Sequence, residues 1–552
     1  MRNLPNDFKR FFITIRKNLI LILILSFAGF LRFWKVTEIP PLWVDEIPNG
    51  ILSFEILKFG ILKHIFLPKL LAAHEGPMLA YTLTLPIYFF GFTNFALRIP
   101  FPIFGVLSIL LTYIFIKNFY NKKIALLTVF LLTIFPSHIF FSRIGFEYII
   151  VNSMTLFAII FLQKFTENKL RRYFYLFSLV VGIGIATRLS FFLFTIPLIF
   201  LWQKIFKLKL KRIGFTHLFV CLLIIFFVGI YPYLFSNLMN DGFTIQFLLQ
   251  KFPQTTEGIN LLDIPGNLKM NLQTIIPQFF RGQYFYLNFN SISLEIFLLS
   301  FLIFITTFII RRKDKNYTFL KKDFFLISFI LLTGFLFSTI TITTFRHGDH
   351  LMLTPFYLTI SGKVLHEFFY SKKFRKIFIV FGTIILLFIV YDFYNFFTYF
   401  YSSSTWERKN IDVSSPLFDY VCIEKVKDLA DFLSDQTYSF LIIDDPNVLH
   451  LNLKWYGNFS WGKMVNLLEY TENVTLTTQI VTSKLEKFIH EENSLYIFTT
   501  DDCLRFGPIH WFYKKVNVKE IFFEIAEKYE KTPEKIGEIT SNGYVLYEIY
   551  KI

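Results

Sequence analysis

An acidic pair, Asp45-Glu46, follows the first hydrophobic segment of the chain, in the sequence Trp43-Val44-Asp45-Glu46. A carboxylate held close to an attacking hydroxyl can accept its proton while the oxygen forms a new bond. We interpret Asp45 as this base and Glu46 as a supporting or orienting group, because two adjacent acids do not easily share one task. The structural alternative is that the pair begins the amphipathic stretch 47–60, where acidic residues favour the helix dipole.

Two further acidic elements lie in connections between hydrophobic segments. His74 and Glu75 precede Gly76-Pro77, and they could either hold a sugar hydroxyl or the acceptor nucleophile, or simply begin a helix. Arg143 and Glu147 belong to a turn between two hydrophobic segments. Glu147 alone would be an ordinary polar turn residue. It becomes a candidate because the topology predicted below places it on the same side as the acidic pair.

Two basic sites could bind phosphate. Arg188 lies between two short hydrophobic segments, where an unpaired charge is costly, so it would reach either lipid headgroups or the phosphate of a lipid-borne substrate. The second site is the most polar turn between hydrophobic segments. We favour phosphate or pyrophosphate contacts from its arginine and first histidine, while a metal held by its His, Asp and His side chains is the alternative. The candidate residues of this turn are Arg346, His347, Asp349 and His350.

The composition indicates a membrane protein with many spans. Of 552 residues, 54% are hydrophobic and only 17% are charged, and the mean hydropathy is +0.51. A soluble globular protein has far less apolar content. The net charge of +16 would suggest nucleic acid in a soluble protein, but here the basic residues concentrate in short loops. Membrane orientation and anionic headgroups explain this charge, so no nucleic-acid partner is expected.

Eleven hydrophobic segments bounded by charges are candidates for membrane-spanning helices, although two are short. A further apolar segment, 77–92, contains two prolines and is barely long enough to cross, so we predict that it lies at the interface. With a cytoplasmic amino terminus, every dense basic cluster then falls on the inner side, as the positive-inside rule requires. If 77–92 crossed, all clusters from Lys117 onward would lie outside. The predicted spans lie near 18–36, 96–116, 124–142, 147–163, 173–187, 189–203, 213–235, 292–310, 324–345, 351–370 and 377–398.

This topology gives the external side a long first loop, three polar turns, a loop at 236–291 and the whole carboxy-terminal part of the chain. All candidate residues therefore face the same side, which predicts a reaction site at the boundary of water and lipid. After residue 400 the pattern changes: alternating runs at 439–443, 494–498 and 544–548 predict strands, and 518–530 predicts a helix. We therefore predict a transmembrane domain over 1–400 and a small soluble external α/β domain over 401–552.

Several short elements resemble landmarks of the GT-C glycosyltransferases. The resemblance covers roughly the first 200 residues and the turn near 346–355, and the tail carries no such element. The most similar branch is that of the protein O-mannosyltransferases and aminoarabinose transferases, also called dolichyl-phosphate-mannose-protein mannosyltransferase-like. The elements are Asp45-Glu46, His74-Glu75-Gly76-Pro77-Met78-Leu79, Ala96-Leu97-Arg98-Ile99-Pro100, Ser142-Arg143 through Glu147, and Ala186-Thr187-Arg188.

The resemblance implies a GT-C fold with about eleven transmembrane helices and interfacial helices in the first external loop. It also implies an enzyme that takes a sugar from a polyprenyl-phosphate carrier and inverts the anomeric centre. Asp45 matches the first catalytic acid, Glu147 the second external acid, and Arg188 a basic position near the lipid phosphate. His74 matches the first residue of a His-Pro-Pro-Leu-like element that reads His-Glu-Gly-Pro here. The turn at 346–350 departs from the family's arginine–tyrosine pattern.

The expected activity is transfer of a sugar from a polyprenyl-phosphate donor to a hydroxyl of a protein, lipid or glycan acceptor in the cell membrane. No cofactor is expected, and a divalent metal is compatible with the sequence but not implied. A lipid-linked glycan ligase is the nearest alternative. A lipid or sugar transporter or flippase is the alternative from another class. Transporters place ionisable groups near the membrane midplane, often in repeated halves, whereas these span interiors hold almost no charge and no repeat is visible.

Overall fold

The structure of this chain is a computed structural model. It describes residues 6–40, 46–60, 76–91, 93–207, 214–239, 264–281, 291–312, 319–340, 346–370, 375–401, 428–436, 438–443, 464–466, 474–491, 493–499, 518–541 and 544–552. Two compact units make up the chain. Residues 1–36 and 55–400 form the first unit, and residues 37–54 and 401–552 form the second. The predicted boundary of the two domains at residue 400 stays a prediction.

The described residues of the eleven predicted hydrophobic segments are largely helical, because only a helix satisfies the backbone of such a segment internally. Two π-helical turns, Phe226–Ile230 and Asn271–Ile275, join consecutive helices. Up to residue 401 the helices are α1 (Asn6–Phe33), α2 (Glu46–Phe59), α3 (Met78–Phe90), α4 (Asn94–Arg98), α5 (Pro100–Phe119), α6 (Lys122–Ile134), α7 (Pro136–Phe141), α8 (Tyr148–Asn168), α9 (Arg171–Thr187), α10 (Phe191–Phe206), α11 (Phe215–Ile225), α12 (Tyr231–Met239), α13 (Ile264–Met270), α14 (Ile276–Arg281), α15 (Ser293–Arg311), α16 (Leu320–Ile340), α17 (Arg346–His350), α18 (Thr354–Tyr370) and α19 (Arg375–Tyr401).

The protein is a membrane protein, and several of these helices have the required length and apolarity. Among the described residues, five helices are long and apolar enough to cross: Asn94–Phe119, Tyr148–Asn168, Phe215–Phe235, Ser293–Arg311 and Gly382–Tyr401. Shorter apolar helices are Asn18–Phe33, Met78–Phe90 and Phe191–Phe206. The count of eleven spans, and the interfacial position of the segment 77–92, stay predictions.

One predicted span is broken in the structure. The segment 124–142 forms two helices, α6 and α7, with Phe135 between them in an extended conformation. Pro136 explains the break, because proline has no backbone N–H to continue α6 and it disfavours helical geometry at the preceding residue. The break places α7 directly before the turn that carries Arg143 and Glu147.

The first unit is built around α5, α6, α8 and α9. Helix α5 packs on both α6 and α8, and α9 packs on α8, while α18 packs on α6. Several threonine hydroxyls in these helices donate to the carbonyl one turn earlier, such as Thr112 to Ser108 and Thr155 to Val151. Such residues carry their own hydrogen-bond partner, so close packing leaves them satisfied.

The second unit contains a mixed five-stranded sheet with the strand order β2-β1-β3-β5-β4. The strands β1, β2 and β3 are parallel, and β5 pairs antiparallel with both β3 and β4. Helices α20 (Val474–Phe488) and α21 (Val518–Lys528) contribute apolar residues to its core. The small α/β fold predicted for the tail is therefore confirmed. The strands are β1 (Leu441–Ile443), β2 (Met464–Asn466), β3 (Leu495–Thr499), β4 (Glu534–Ser541) and β5 (Tyr544–Lys551).

Candidate active site

Arg188 is the centre of a buried ionic cluster in the first unit. Its Nη1 donates to Oε1 of Glu147, and its Nε donates to Oδ1 of Asp349 at 2.7 Å. All three side chains are about 1% exposed. The guanidinium also lies over the ring of Tyr148, with the central carbon 4.6 Å from the ring centroid. Burying one arginine is costly unless it is paired, and here two carboxylates and an aromatic face share it.

Local helix chemistry explains why these residue types stand here. Glu147 is the residue immediately before α8, and Arg188 is the residue immediately after α9. An acid at a helix amino terminus and a base at a carboxy terminus both complement the helix dipole. Helices α8 and α9 pack against each other. The two dipole-matched ends therefore meet at one end of this helix pair and form the ion pair.

Asp349 reaches the cluster from α17, which is far along the sequence. Ser190 precedes α10 but makes no capping bond with its side chain. Its Oγ instead donates to Oδ1 of Asp349 at 2.7 Å. The approach of α17 depends on Gly348, because a Cβ at this position would come within 2.1 Å of the Tyr148 ring. Glycine therefore permits the contact that brings Asp349 to Arg188.

His350 is buried beside this cluster in an aromatic environment. Its ring lies 5.9 Å from that of Phe279 and 6.2 Å from that of Phe337. Nδ1 of His350 is 3.4 Å from the Tyr357 hydroxyl. Burial lowers the pKa of His350 to about 4, so its imidazole is neutral near pH 7. The side chains of Arg346 and His347 lie outside the described part of the structure.

The segment that precedes α3 contacts the same corner of the fold. The backbone N–H of Gly76 donates to the carbonyl of Thr187 at 3.2 Å. A Cβ at Gly76 would come within 1.7 Å of the Ala186 carbonyl oxygen, so this contact requires glycine. The His-Glu-Gly-Pro element therefore ends next to the residue that precedes Arg188. His74 and Glu75 themselves lie outside the described residues.

The acidic pair is only partly described. Asp45 lies outside the described residues, and Glu46 is a fully buried residue that begins α2 in the second unit. This position agrees with the helix-starting alternative for Glu46, since an acid there favours the helix dipole. The structure thus describes the supporting acid, Glu46, but not the proposed base, Asp45.

Arg143 makes a different set of contacts from Arg188. Its guanidinium donates to four carbonyl groups at the end of α1, at distances of 2.7–3.1 Å. Arg98 donates to the carbonyl of Val36 at 3.1 Å. Both arginines are fully buried. They fix the path of the chain as it leaves α1 toward the acidic pair. The four carbonyl groups belong to Leu31, Arg32, Trp34 and Lys35.

A second buried hydrogen-bond network holds the carboxy-terminal end of α1. Nη2 of Arg32 lies 2.7 Å from Nδ1 of His138, and Nε2 of His138 lies 2.8 Å from the Ser108 hydroxyl. Because arginine can only donate, Nδ1 accepts and Nε2 carries the proton. His138 is therefore a structural link between α1, α5 and α7.

Sequence reasoning missed Tyr148, Ser190 and Gly348. Tyr148 and Ser190 each lie within two residues of a predicted site residue, and Gly348 belongs to the predicted polar turn. Their partners are far away in the sequence, so these contacts become visible only where α17 reaches the start of α8 and the connection between α9 and α10. Among the described residues, no group of three or more His, Cys, Asp or Glu side chains is placed to hold a metal ion.

Residues 74–234 match the family model described as dolichyl-phosphate-mannose-protein mannosyltransferase. This segment contains Glu147, Arg188 and the glycine that contacts Thr187. The match confirms the resemblance that the short motifs indicated over this part of the chain. A search of curated protein sequences found no match.

Solved structures extend the comparison to nearly the whole chain. The apo structure of ArnT from Cupriavidus metallidurans matches with a TM-score of 0.61 and 10% identity, covering 96% of this chain and 97% of ArnT. The chain has the fold of ArnT. ArnT bound to undecaprenyl phosphate gives a TM-score of 0.59 at 11% identity, covering 96% of this chain and 98% of that chain. Apo Archaeoglobus fulgidus oligosaccharyltransferase gives 0.51 at 12% identity, covering 87% of this chain and 69% of that chain.

The ArnT fold confirms the predicted fold class, a helical membrane domain followed by a small α/β unit. The family-matched segment contains two members of the ionic cluster, Glu147 and Arg188. The third member, Asp349, lies outside the matched segment.

Proposed function

We propose that this protein is an inverting glycosyltransferase that moves a sugar from a polyprenyl-phosphate carrier to a hydroxyl group at the external membrane face. One observation carries the proposal. The family-matched segment contains Glu147 and Arg188, and these two residues form a buried ion pair with Asp349 in a fold shared with ArnT. The match to dolichyl-phosphate-mannose-protein mannosyltransferases indicates this class of reaction.

In the proposed mechanism, Asp45 takes the proton of the acceptor hydroxyl as that oxygen attacks the anomeric carbon. The bond from this carbon to the phosphate oxygen breaks, and the lipid phosphate leaves as an anion. Such a leaving group needs no general acid. Cationic groups near the developing phosphate charge lower the barrier, because they are already oriented when the charge forms. Arg346 is the proposed cation in direct contact with the phosphate.

The proposed topology follows from charge. The amino terminus and the dense basic loops would lie in the cytoplasm, while the site and the carboxy-terminal unit would lie outside the membrane. The donor tail would then lie among the helices, in contact with membrane lipid. ArnT has been solved with undecaprenyl phosphate bound, which supports a polyprenyl-phosphate donor for a chain of the same fold. The acceptor would be a protein, a lipid or a glycan.

The substitution Asp45→Asn tests this function. Purified full-length protein in liposomes is supplied with a radiolabelled polyprenyl-phosphate sugar, and released lipid phosphate is measured. Loss of a general base should reduce turnover by about 10²- to 10⁴-fold while donor binding is retained. Asp431→Asn, an exposed acid of the second unit, is the matched control and should transfer at the wild-type rate.

Three results would contradict the proposal. A wild-type rate from Asp45→Asn would remove this residue from the reaction. Donor that crosses the liposome membrane without losing its sugar would instead identify a transporter or flippase. Transfer only of preassembled glycans, with no release from single-sugar donors, would identify a lipid-linked glycan ligase.

A further inference from the structure

Among the described side chains, the charges of the Arg188 cluster do not balance. Arg188 supplies one positive charge, whereas Glu147 and Asp349 supply two negative charges when both are ionised. A lipid phosphate approaching this cluster would therefore meet a surplus negative charge. Arg188 is already held by one oxygen of each carboxylate, so it is poorly placed to be the main cation for an anionic ligand.

Each carboxylate also keeps one oxygen available for a ligand. Within the described part of the chain, Oε2 of Glu147 and Oδ2 of Asp349 have no hydrogen-bond partner although both are buried. Buried polar atoms in folded proteins are nearly always bonded, and a carboxylate oxygen left alone is costly. These two atoms accept hydrogen bonds only, so their natural partners are hydroxyl or amino groups.

The orientation of the Asp349 carboxylate is fixed by two donors. Arg188 and the Ser190 hydroxyl both bond to Oδ1 of Asp349, each at 2.7 Å. This arrangement holds the carboxylate by one oxygen and leaves Oδ2 for another donor. Glu147 is held in the same manner, with Oε1 on Arg188. A preorganised pair of acceptors of this kind recognises a ligand without the entropy cost of ordering flexible side chains.

We propose that Glu147 and Asp349 form a recognition site for the hydroxyl or amino groups of the sugar carried by the donor, and that Arg188 is the positioning residue that orients both carboxylates. This inference rests on the proposed function. It assigns sugar recognition to the cluster and leaves phosphate binding to other cations. Asp349 comes from the turn that departs from the family pattern, so the sugar preference is a property of this chain.

The test compares lipids that differ only in the sugar. Purified full-length protein in detergent is titrated, by native mass spectrometry, with polyprenyl phosphate and with the same lipid bearing a neutral hexose, a neutral pentose or an aminopentose. At least one sugar-bearing lipid should bind wild type more tightly than the bare phosphate. Glu147→Gln and Asp349→Asn should each weaken the binding of that sugar-bearing lipid by about 10- to 100-fold, as loss of a charge-assisted hydrogen bond predicts.

Binding of the bare polyprenyl phosphate should stay within about twofold of wild type in both variants. Asp323→Asn is the matched control, because Asp323 forms a buried ion pair with a different cation, Lys363, in the same unit. This control should leave unchanged the ratio of the affinities for the sugar-bearing lipid and for the bare polyprenyl phosphate. Ser190→Ala keeps every charge and should weaken only the sugar-bearing lipid, so it carries the test if a charge-removing variant fails to fold.

Three outcomes would overturn the inference. Equal loss of affinity for bare and sugar-bearing lipids would mean that the carboxylates act on the phosphate. Unchanged affinities in all the site variants would mean that they contact no ligand. If no sugar-bearing lipid binds wild type more tightly than the bare polyprenyl phosphate, the cluster does not recognise the sugar, although the protein still binds lipid phosphate. Failure of wild type to bind any of these lipids would overturn the proposed function itself.

Discussion

Arg188 illustrates how a charge is kept inside a helical membrane protein. Its guanidinium bonds to Glu147 and Asp349 and lies over the Tyr148 ring. Removing one partner of a buried ion pair leaves uncompensated charge, which costs much more than the pair contributes. The cluster is thus a single unit whose members depend on one another.

The substitution Arg188→Gln should therefore destabilise the protein by about 3–5 kcal/mol, because two carboxylates would remain buried without a cation. The triple variant Arg188→Gln, Glu147→Gln, Asp349→Asn removes all three charges and should regain most of this loss. Thermal unfolding of the purified chain in one detergent measures both. A triple variant no more stable than Arg188→Gln alone would show that the charges do not depend on one another.

At the scale of elements, the site depends on how closely α17 approaches the start of α8. Gly348 allows this approach, since any Cβ there would overlap the Tyr148 ring. Gly76 likewise allows the segment that precedes α3 to contact the end of α9. These two glycines therefore allow close contacts between segments that are far apart in the sequence.

The substitution Gly348→Ala should separate α17 from Tyr148 and so break the contact of Asp349 with Arg188. The expected loss of stability is about 1–3 kcal/mol, the usual cost of overpacking, and sugar transfer should fall with it. Gly29→Ala in α1 is the matched control, because a Cβ there meets no atom within 4 Å. Alanine also favours a helix interior over glycine by about 1 kcal/mol, so the control should be equally or more stable. Equal stabilities of the two variants would contradict the packing argument.

The proposed reaction requires that the Arg188 cluster lie at the external face of the membrane. The basic loops predict this orientation through the positive-inside rule. The loop between α8 and α9 would face the cytoplasm, and the chain beyond α19 would face outward. These two positions give opposite expectations for a reagent that cannot cross the membrane.

In a background without Cys221, Cys422 and Cys503, we predict opposite labelling of Asn168→Cys and Ser434→Cys by an impermeant maleimide. Ser434→Cys should react in intact cells, and Asn168→Cys should react only after the membrane is opened. Both positions are exposed to solvent or lipid in the structure, so burial does not explain a lack of reaction. The reverse pattern would place the Arg188 cluster on the cytoplasmic side and contradict the proposed reaction at the external face.

The helices and the tail sheet could be predicted because their signals are local. Runs of apolar residues without interior charge define α5, α8 and α15, and alternation defines β3 and β5. The break before Pro136 depends on this one proline, whereas the hydropathy of the segment 124–142 predicts a single continuous helix. Hydropathy averages over a window, so it overlooks a single residue that ends a helix.

The candidate site was predictable only in part. Residue type and resemblance identified Glu147, Arg188 and the turn containing Asp349, but not that these residues touch. Arg143 was predicted beside them and instead binds the carbonyl groups at the end of α1. Nothing local distinguishes the two arginines, since each follows a helix in a short polar turn.

Hydropathy, charge and short motifs are enough to predict a helical membrane protein with a small α/β tail, and the residue types a glycosyl transfer would need. These signals act over a few neighbouring residues. The pairing of the buried charges, in contrast, follows from the packing of distant segments. Arg188 and Asp349 are 161 residues apart, and their contact exists because α17 brings Asp349 to the connection between α9 and α10. A buried charge takes whichever partner the packed helices bring within reach, and that partner is not set by distance along the chain.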